Sequence, residues 1–405
     1  MSVTVVGGGI AGLSAAFELH RRGVPFALHE AATRLGGIIR TDYLPGFVID
    51  AGPDAMLARK RAGIALCEEV GIAHRLVPAN PPRTAFVLRG GVLAPLPSWP
   101  QPAAAPAAPD ESIASYFERT YGRDAVDYFA EPVLAGIHAG DVHRLSVRAL
   151  FPEIAGREPE GARHNDATPV DPEGAFRSFP RGMQELVDAL AAALPRDAVR
   201  TATPARQLRE HLREGPVILA VPGSPAAGLL DPIDPALATL CRRIPYVSSG
   251  IVVLAYPRKA VSHSLSGSGF VVPRAERGTR ILAATWLSSK WPGRAPADVA
   301  LLRAFFGGAR DPASLSLSDD ALVAMAHGDL ARLLQIDAEP SLRRVYRWLD
   351  ATPQYEVGYL ETLAAIRAAA ARIPGLHLAG AAFGSIGIPD CIQSGRAAAR
   401  AALEG

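Results

Sequence analysis

Cysteine is nearly absent from this chain. Cys67, Cys241 and Cys391 are the only three in 405 residues. They are too far apart for a zinc site or redox pair, and their scarcity points to reduced thiols in a cytoplasmic compartment rather than to a disulfide framework. Neither sign of charge is in excess. With 42 Lys and Arg against 40 Asp and Glu the net charge is +2, which offers no electrostatic footprint for nucleic acid. No uninterrupted apolar run reaches the length of a membrane span, and no basic segment followed by an apolar one opens the chain, so no secretory signal is expected. Contact with a membrane surface and a homodimeric state are left open. His138 and His143 lack cysteine partners and helical ligand spacing, so they read as structural and no metal is expected. Hydrophobic residues make up 49%, and with 38 glycines and 35 prolines the composition suits a globular chain of two or three packed domains.

The glycines cluster where chemistry is expected. "SVTVVGGGIAGLSAAFELHRRGVPFALHE" reads as an apolar strand, a glycine turn, a helix and a second strand. Gly7, Gly9 and Gly12 occupy the G-x-G-x-x-G positions, with Gly8, Ile10 and Ala11 between them. Such a turn brings backbone N–H groups and a helix N-terminus against a pyrophosphate, and Glu30 ends the second strand at the spacing of a ribose ligand. "ATRLGGIIRT" follows, placing Arg34, Gly36 and Gly37 in a second glycine turn. A nicotinamide enzyme has no general need of that second turn, whereas FAD enzymes of the amine-oxidase and glutathione-reductase type commonly have one, so FAD is the expected cofactor. "DAGPDAML" adds Gly52, Pro53, Asp54 and Ala55 in a turn suited to close backbone approach.

The far end, "AFGSIGIPDCIQSGRAAARAAL", reads as a loop feeding a helix that starts near Pro389, with Asp390 favouring the positive helix end. Cys391 reads as a buried small hydrophobe, not a nucleophile.

With these stretches in place the chain resembles the protoporphyrinogen oxidases and their coproporphyrinogen-oxidising relatives almost end to end. The resemblance rests on "EPVLAGIHAGD", "LSVRALFP", "GFVVPR", "PQY" and "GIPDCI", which occur in the family's order. It implies an α/β and α+β fold of the amine-oxidase type in three parts. A Rossmann-like FAD-binding domain would be assembled from 1–80, 180–225 and 346–405. A reduced helical, membrane-facing domain would cover 86–178, and a sheet-based substrate domain 226–345. Carried over by position, Gly7 to Gly12, Glu30, Ala31, Ile38, Gly52 to Ala55, Ala205, Trp348, Ile386, Gly387 and Ile388 match FAD-contacting positions, and Gly269 and Val271 lie over the substrate. The implied reaction is oxidation of protoporphyrinogen IX or coproporphyrinogen III to the porphyrin in haem biosynthesis, with O2 as acceptor. Another flavin oxidase or desaturase of this fold, and a non-catalytic flavin or porphyrin-binding protein, stay as alternatives.

Two departures from the family stand out. Where a basic residue often precedes the aromatic of the strand "RTAFVL", this chain has Ala85 before Phe86, with Arg83 and Arg89 on either side. Arg83 is expected to hold a substrate propionate, while Arg89, three residues past Phe86, is placed on the other face of the strand. "LPSWPQPAAAPAAP", residues 96–109, is expected to be an extended connector in place of helices.

Overall fold

The computed structural model describes residues 2–97, 110–152, 171, 173–384 and 386–404. The Pro/Ala connector therefore lies, from residue 98 onward, outside the described residues. The first strand, Val3–Val6, is buried along its length. It is central in a five-stranded parallel sheet, ordered Val199–Arg200, Phe26–His29, Val3–Val6, Val217–Leu219, Leu376–Leu378. Segments from three distant parts of the sequence thus close one sheet, the doubly wound arrangement in which ligands bind beyond the carboxyl ends of the strands.

The helix Ile10–Arg21 follows the first strand, and residues Ile10 to Leu19 are all buried. A helix apolar on every side must be covered on every side. The sheet covers one face and the C-terminal helix Ile388–Glu404 another. That contact explains the alanine-rich end: Gly395 lies against the Ala11 carbonyl, and Ala398, Ala399 and Ala402 are buried beside it.

A second, seven-stranded sheet runs in the order Leu342–Pro353, Tyr246–Pro257, Val299–Gly307, Ala283–Trp286, Gly269–Val271, Ala85–Arg89, Val92–Pro95. Alternation along its longest strands sorts the side chains. Val252, Leu254 and Tyr256 pack on Leu322, Ala326 and Leu330 of the helix Asp319–Leu334. Ile251, Val253 and Ala255 face Ile49, Ala51 and Trp291 on the opposite side. The helices Ile113–Tyr121 and Glu131–His138, joined by a π-turn at Val126–Ala130, bring their own core, from Ile113 and Phe117 to Leu134 and Leu145.

Two expected boundaries move. The hairpin of 85–95, given to the helical part from 86, is paired into the large sheet through Gly269↔Ala85 and Phe270↔Phe86. The strand Leu342–Pro353 crosses the boundary at 346 and pairs with Tyr246–Pro257 along most of its length. Both shifts have one cause: extended segments complete a sheet edge with backbone hydrogen bonds, whichever part precedes them in sequence. A short helix, Leu208–Glu214, leads into the strand Val217–Leu219.

Candidate functional site: a dinucleotide cradle opening on a cationic cavity

The cradle is built at the end of the first strand. Gly7 has φ 106° and receives an anchor from the His29 carbonyl, its N–H donating at 2.8 Å. At Gly12 any side chain is excluded, because a Cβ would fall 1.8 Å from the Gly7 carbonyl oxygen. Gly9 differs: a Cβ there would meet nothing within 4 Å. Open space over Gly9, at the N-terminus of a buried helix, is the shape a pyrophosphate fills. The Glu30 carboxylate accepts the Gly8 N–H at 2.6 Å and the Ala32 N–H at 2.7 Å, which fixes it beside the turn.

The second glycine turn lies directly on the first. Gly36 N–H donates to Gly8 O at 2.8 Å, and Gly9 and Gly36 form a parallel bridge. Arg34 braces this turn by donating to the carbonyls of Leu35 and Ile39 at 3.1 and 3.0 Å and to that of Gly37. Its guanidinium acts on its own loop. Ala31 is exposed at the end of the second strand, and Ala205 packs half-buried beside the core that covers the Val217–Leu219 strand.

The closing loop is held from behind. Tyr355 and Tyr359 stack with ring centroids 3.8 Å apart, and their hydroxyls donate to Ala381 O at 2.6 Å and Ala382 O at 3.0 Å. Gln354 donates to His138 O at 3.0 Å. The "PQY" stretch therefore positions the loop that carries Ile386 and Gly387 into the helix starting at Ile388. Sequence reasoning used that stretch only as a family mark; the pair of tyrosines four residues apart, Tyr355 before the turn and Tyr359 at the start of the helix Tyr359–Ala370, was the available signal. Asp390 in the first turn is clasped by Lys60 Nζ at 2.6 and 2.8 Å. Cys391 is buried and its thiol is pushed up to about 12 by burial, so it is no nucleophile at neutral pH. His138 is also buried, which drives its pKa down to about 4 with help from the Lys60 charge.

Between the turn at Gly52–Asp54 and strands of the seven-stranded sheet opens a cavity of about 600 Å³, within the usual range for small-molecule sites. Ile38, Gly52, Pro53, Asp54 and Trp348 line it together with Arg83, Ala85, Gly269 and Val271. Gly269 has φ 140°, and a Cβ there would fall 2.1 Å from Ala284 O, so this stretch of wall must be bare. Trp348 is fixed by its indole N–H, which donates to Ala51 O at 2.6 Å. Phe86 points the other way, onto Trp286 at 5.5 Å between ring centroids.

The placement of Arg89 needs correcting. It lies an even number of residues from Ala85, as Arg83 does, so strand alternation does not put the two arginines on different faces. What separates them is position along the strand. Arg83 lines the cavity; Arg89, at the far end, pairs with Asp124 at 3.0 Å and lies over the Tyr128 ring at 4.3 Å.

Asp54, expected as an FAD-contacting residue of the Gly52–Ala55 turn, is the centre of a buried ionic cluster. Its Oδ2 accepts from Lys290 Nζ at 2.9 Å and Trp291 Nε1 at 2.8 Å, and Arg303 stands at 3.3 Å. Burial alone would raise its pKa, but Lys290 and Arg303 outweigh it and hold the carboxyl well below the usual range. Sequence reasoning missed Lys290 and Arg303, more than two hundred residues from Asp54, because no local motif links them.

Comparison with known proteins agrees with this geometry. The profile of the flavin containing amine oxidoreductase family matches residues 10–110 and 98–403. Coproporphyrinogen III oxidase of Bacillus subtilis (strain 168) is 31% identical, with 99% of this chain and 97% of that protein covered. Protoporphyrinogen oxidase 2 of Arabidopsis thaliana is 25% identical, covering 98% of this chain and 92% of its own. A crystal structure from Exiguobacterium sp. 255-15, provisionally named a protoporphyrinogen oxidase, superposes with a TM-score of 0.83 at 28% identity over 100% of this chain and 99% of that one. Cyclohexylamine oxidase of Brevibacterium oxydans shares the fold, with a TM-score of 0.74 at 19% identity over 100% and 98% of the two chains. The cradle, the doubled glycine turn and these relationships together make FAD the cofactor, and the chain belongs to the flavin containing amine oxidoreductase family, among its porphyrinogen-oxidising members.

Proposed function

We propose that the protein oxidises coproporphyrinogen III to coproporphyrin III in haem biosynthesis, with O2 as the terminal acceptor. The observation that carries the choice of substrate is the charge of the cavity wall. Among the described residues lining it, Lys290 and Arg303 share the one carboxylate of Asp54, and Arg83 adds a further guanidinium. A surplus of cations favours the porphyrinogen with more propionates, and the name of the Bacillus subtilis relative points the same way.

In this reading the parallel-sheet part holds FAD and the seven-stranded sheet covers the substrate. Gly7 to Gly12 and the turn at Gly36 and Gly37 would cradle the pyrophosphate, Glu30 the ribose, and Ile38, Gly52 to Ala55, Trp348 and Ile386 to Ile388 the ring system. Bound there, FAD would supply the two-electron redox chemistry that takes a hydride from a meso carbon, with O2 as the final acceptor. The chain's own task is positioning. Gly269 and Val271 leave a bare wall for a macrocycle lying face-on, Trp348 closes the cavity beside it, and the helix from Ile388 directs its free N–H groups at the site where negative charge develops. The porphyrinogen loses six electrons and six protons, so three molecules of O2 become three of hydrogen peroxide.

The test is anaerobic addition of coproporphyrinogen III and of protoporphyrinogen IX to purified protein, followed by flavin absorbance. Faster bleaching by coproporphyrinogen, then three peroxides per porphyrin on admitting O2, is the expected result. Faster bleaching by protoporphyrinogen overturns the choice of substrate, and no bleaching by either overturns the activity.

A further inference from the structure

One carboxylate in the cavity wall faces two cations, and the two are not equally committed. Arg303 turns its donors inward, to the carbonyls of Asp50 and Gly52 at 3.2 Å, and its side chain is 4% exposed. Lys290 is 14% exposed and lines the cavity. An ammonium has three N–H groups, and Asp54 Oδ2, which takes one of them, is already satisfied by Trp291 Nε1 and neutralised by Arg303. The Lys290 ammonium is also held in place, 5.0 Å from the Trp291 ring centroid and 5.6 Å from that of Phe176. A charge fixed beforehand loses little freedom on binding.

The backbone puts this lysine beside Arg83. Asn80 N–H donates to Lys290 O at 2.9 Å, and the preceding carbonyl, Ala79 O, accepts Arg83 Nε at 2.9 Å. On the other side the segment 174–176 touches both, Gly174 lying against the Arg83 side chain and Phe176 against Lys290. Two cations from distant parts of the sequence thus share one end of the cavity, built on residues 79–80 and 174–176. Ala85, two residues past Arg83, leaves the neighbouring wall uncharged.

We propose that Lys290, with Arg83, forms a carboxylate-binding end of the cavity and selects the macrocycle edge that carries propionates. The inference rests on the porphyrinogen reading above. A propionate between the ammonium and the guanidinium gains charge-assisted hydrogen bonds from both. A vinyl edge gains neither and leaves the surplus charge of Lys290 without a counter-ion. Lys290 is thereby a specificity determinant of the site, not merely a prop for Asp54.

The experiment compares free-acid coproporphyrinogen III with its tetramethyl ester, on the wild-type holoenzyme and on Lys290→Met, Lys290→Gln and Lys290→Arg. The wild type should lose at least about tenfold in kcat/KM on esterification. Lys290→Met and Lys290→Gln should raise KM for the free acid by about tenfold with kcat and flavin absorbance little changed, and esterification should then cost them clearly less than it costs the wild type. Lys290→Arg should stay within about threefold of wild type. Equal turnover of acid and ester by the wild type overturns the proposal without any variant. So do losses that simply multiply, or a fall in kcat with an altered flavin spectrum at unchanged KM. A wild type that no porphyrinogen reduces sinks the underlying reading instead.

Discussion

Around the dinucleotide cradle the charged side chains are anchored by the protein's own backbone, whereas the wall of the cavity keeps charge in reserve. Glu30 takes two backbone N–H groups and Arg34 gives its donors to carbonyls of its own loop. Behind the cradle, Glu18 is met by Arg22 at 2.9 Å and Arg396 at 2.8 Å. In the cavity, Lys290 and Arg303 share Asp54. The cradle therefore meets the pyrophosphate with backbone and shape, and Glu30 is the side chain it offers, to the ribose. The cavity recognises with side chains, which single substitutions can retune. Two kinds of failure follow: a cradle change should abolish binding outright, and a cavity change should alter affinity or stability by degrees.

The largest effect belongs to the cradle. Gly9→Leu places its side chain in space that the protein itself does not use. The variant should fold with an apoprotein Tm close to wild type, purify colourless, and bind added FAD at least about 100-fold more weakly, since the pyrophosphate position is filled. Retention of flavin at wild-type stoichiometry would show that the open space is not the phosphate site. Gly12→Leu is the sharpening control. Its Cβ has only 1.8 Å to the Gly7 carbonyl, so it should lower the Tm of the apoprotein as well.

Next comes the cluster in the wall. Asp54→Asn removes the one anion between two cations, and breaking such a buried arrangement costs about 3–5 kcal/mol. Urea denaturation of the holoenzyme should show that loss. A change under about 1 kcal/mol would mean that water or substrate, not Asp54, neutralises the pair. Because the folded-state pKa of Asp54 is depressed, its contribution is complete above its unfolded value of about 4 and disappears as the pH falls below it.

The contrast between the two regions also explains what was legible beforehand. Gly7, Gly9, Gly12 and Glu30 lie within one strand–helix–strand unit, where a turn and a helix start must be written in adjacent residues. The ionic cluster joins residues 54, 290, 291 and 303, and its pairing exists only once two sheets have met. Family likeness brought Gly269, Val271 and Trp348 to the cavity, since whole motifs keep their order. It could not bring Lys290, nor place Arg89, whose partner Asp124 comes from the helical part. The sheet edges at 85–95 and 342–353 were misassigned for the same reason: pairing between strands remote in sequence leaves no local mark.

A smaller effect tests the seam between the regions. His138 is held neutral by burial with its pKa near 4, below the unfolded value of about 6.5. Its contribution to stability is therefore intact above about pH 6.5 and declines as the pH falls toward 4. Asp50 and Glu131 act in the opposite direction, because burial raises their pKa values, so only a comparison isolates the histidine. His138→Phe should lose less stability than wild type between pH 7 and pH 5, measured by urea denaturation. Parallel pH profiles would show that the ring is already protonated or solvated in the folded protein.

The smallest expected effect decides how far the cavity's charge extends. Arg83 and Arg89 flank the same strand, and both are exposed. Arg83 lines the cavity and is tethered through Nε to Ala79 O. Arg83→Ala should raise KM for coproporphyrinogen by about tenfold, the scale of one hydrogen bond to a charged group, with flavin content unchanged. Arg89 is engaged elsewhere, by Asp124 and the face of Tyr128. Exposed pairs of this kind are worth at most about 1 kcal/mol. Arg89→Ala should therefore leave KM within about twofold of wild type and trim stability slightly. Equal KM for wild type and Arg83→Ala would restrict the carboxylate end to Lys290. A larger KM effect from Arg89→Ala would instead mean that the substrate reaches past the strand toward Asp124 and the helical part, and that the charged wall is longer than the cavity it borders.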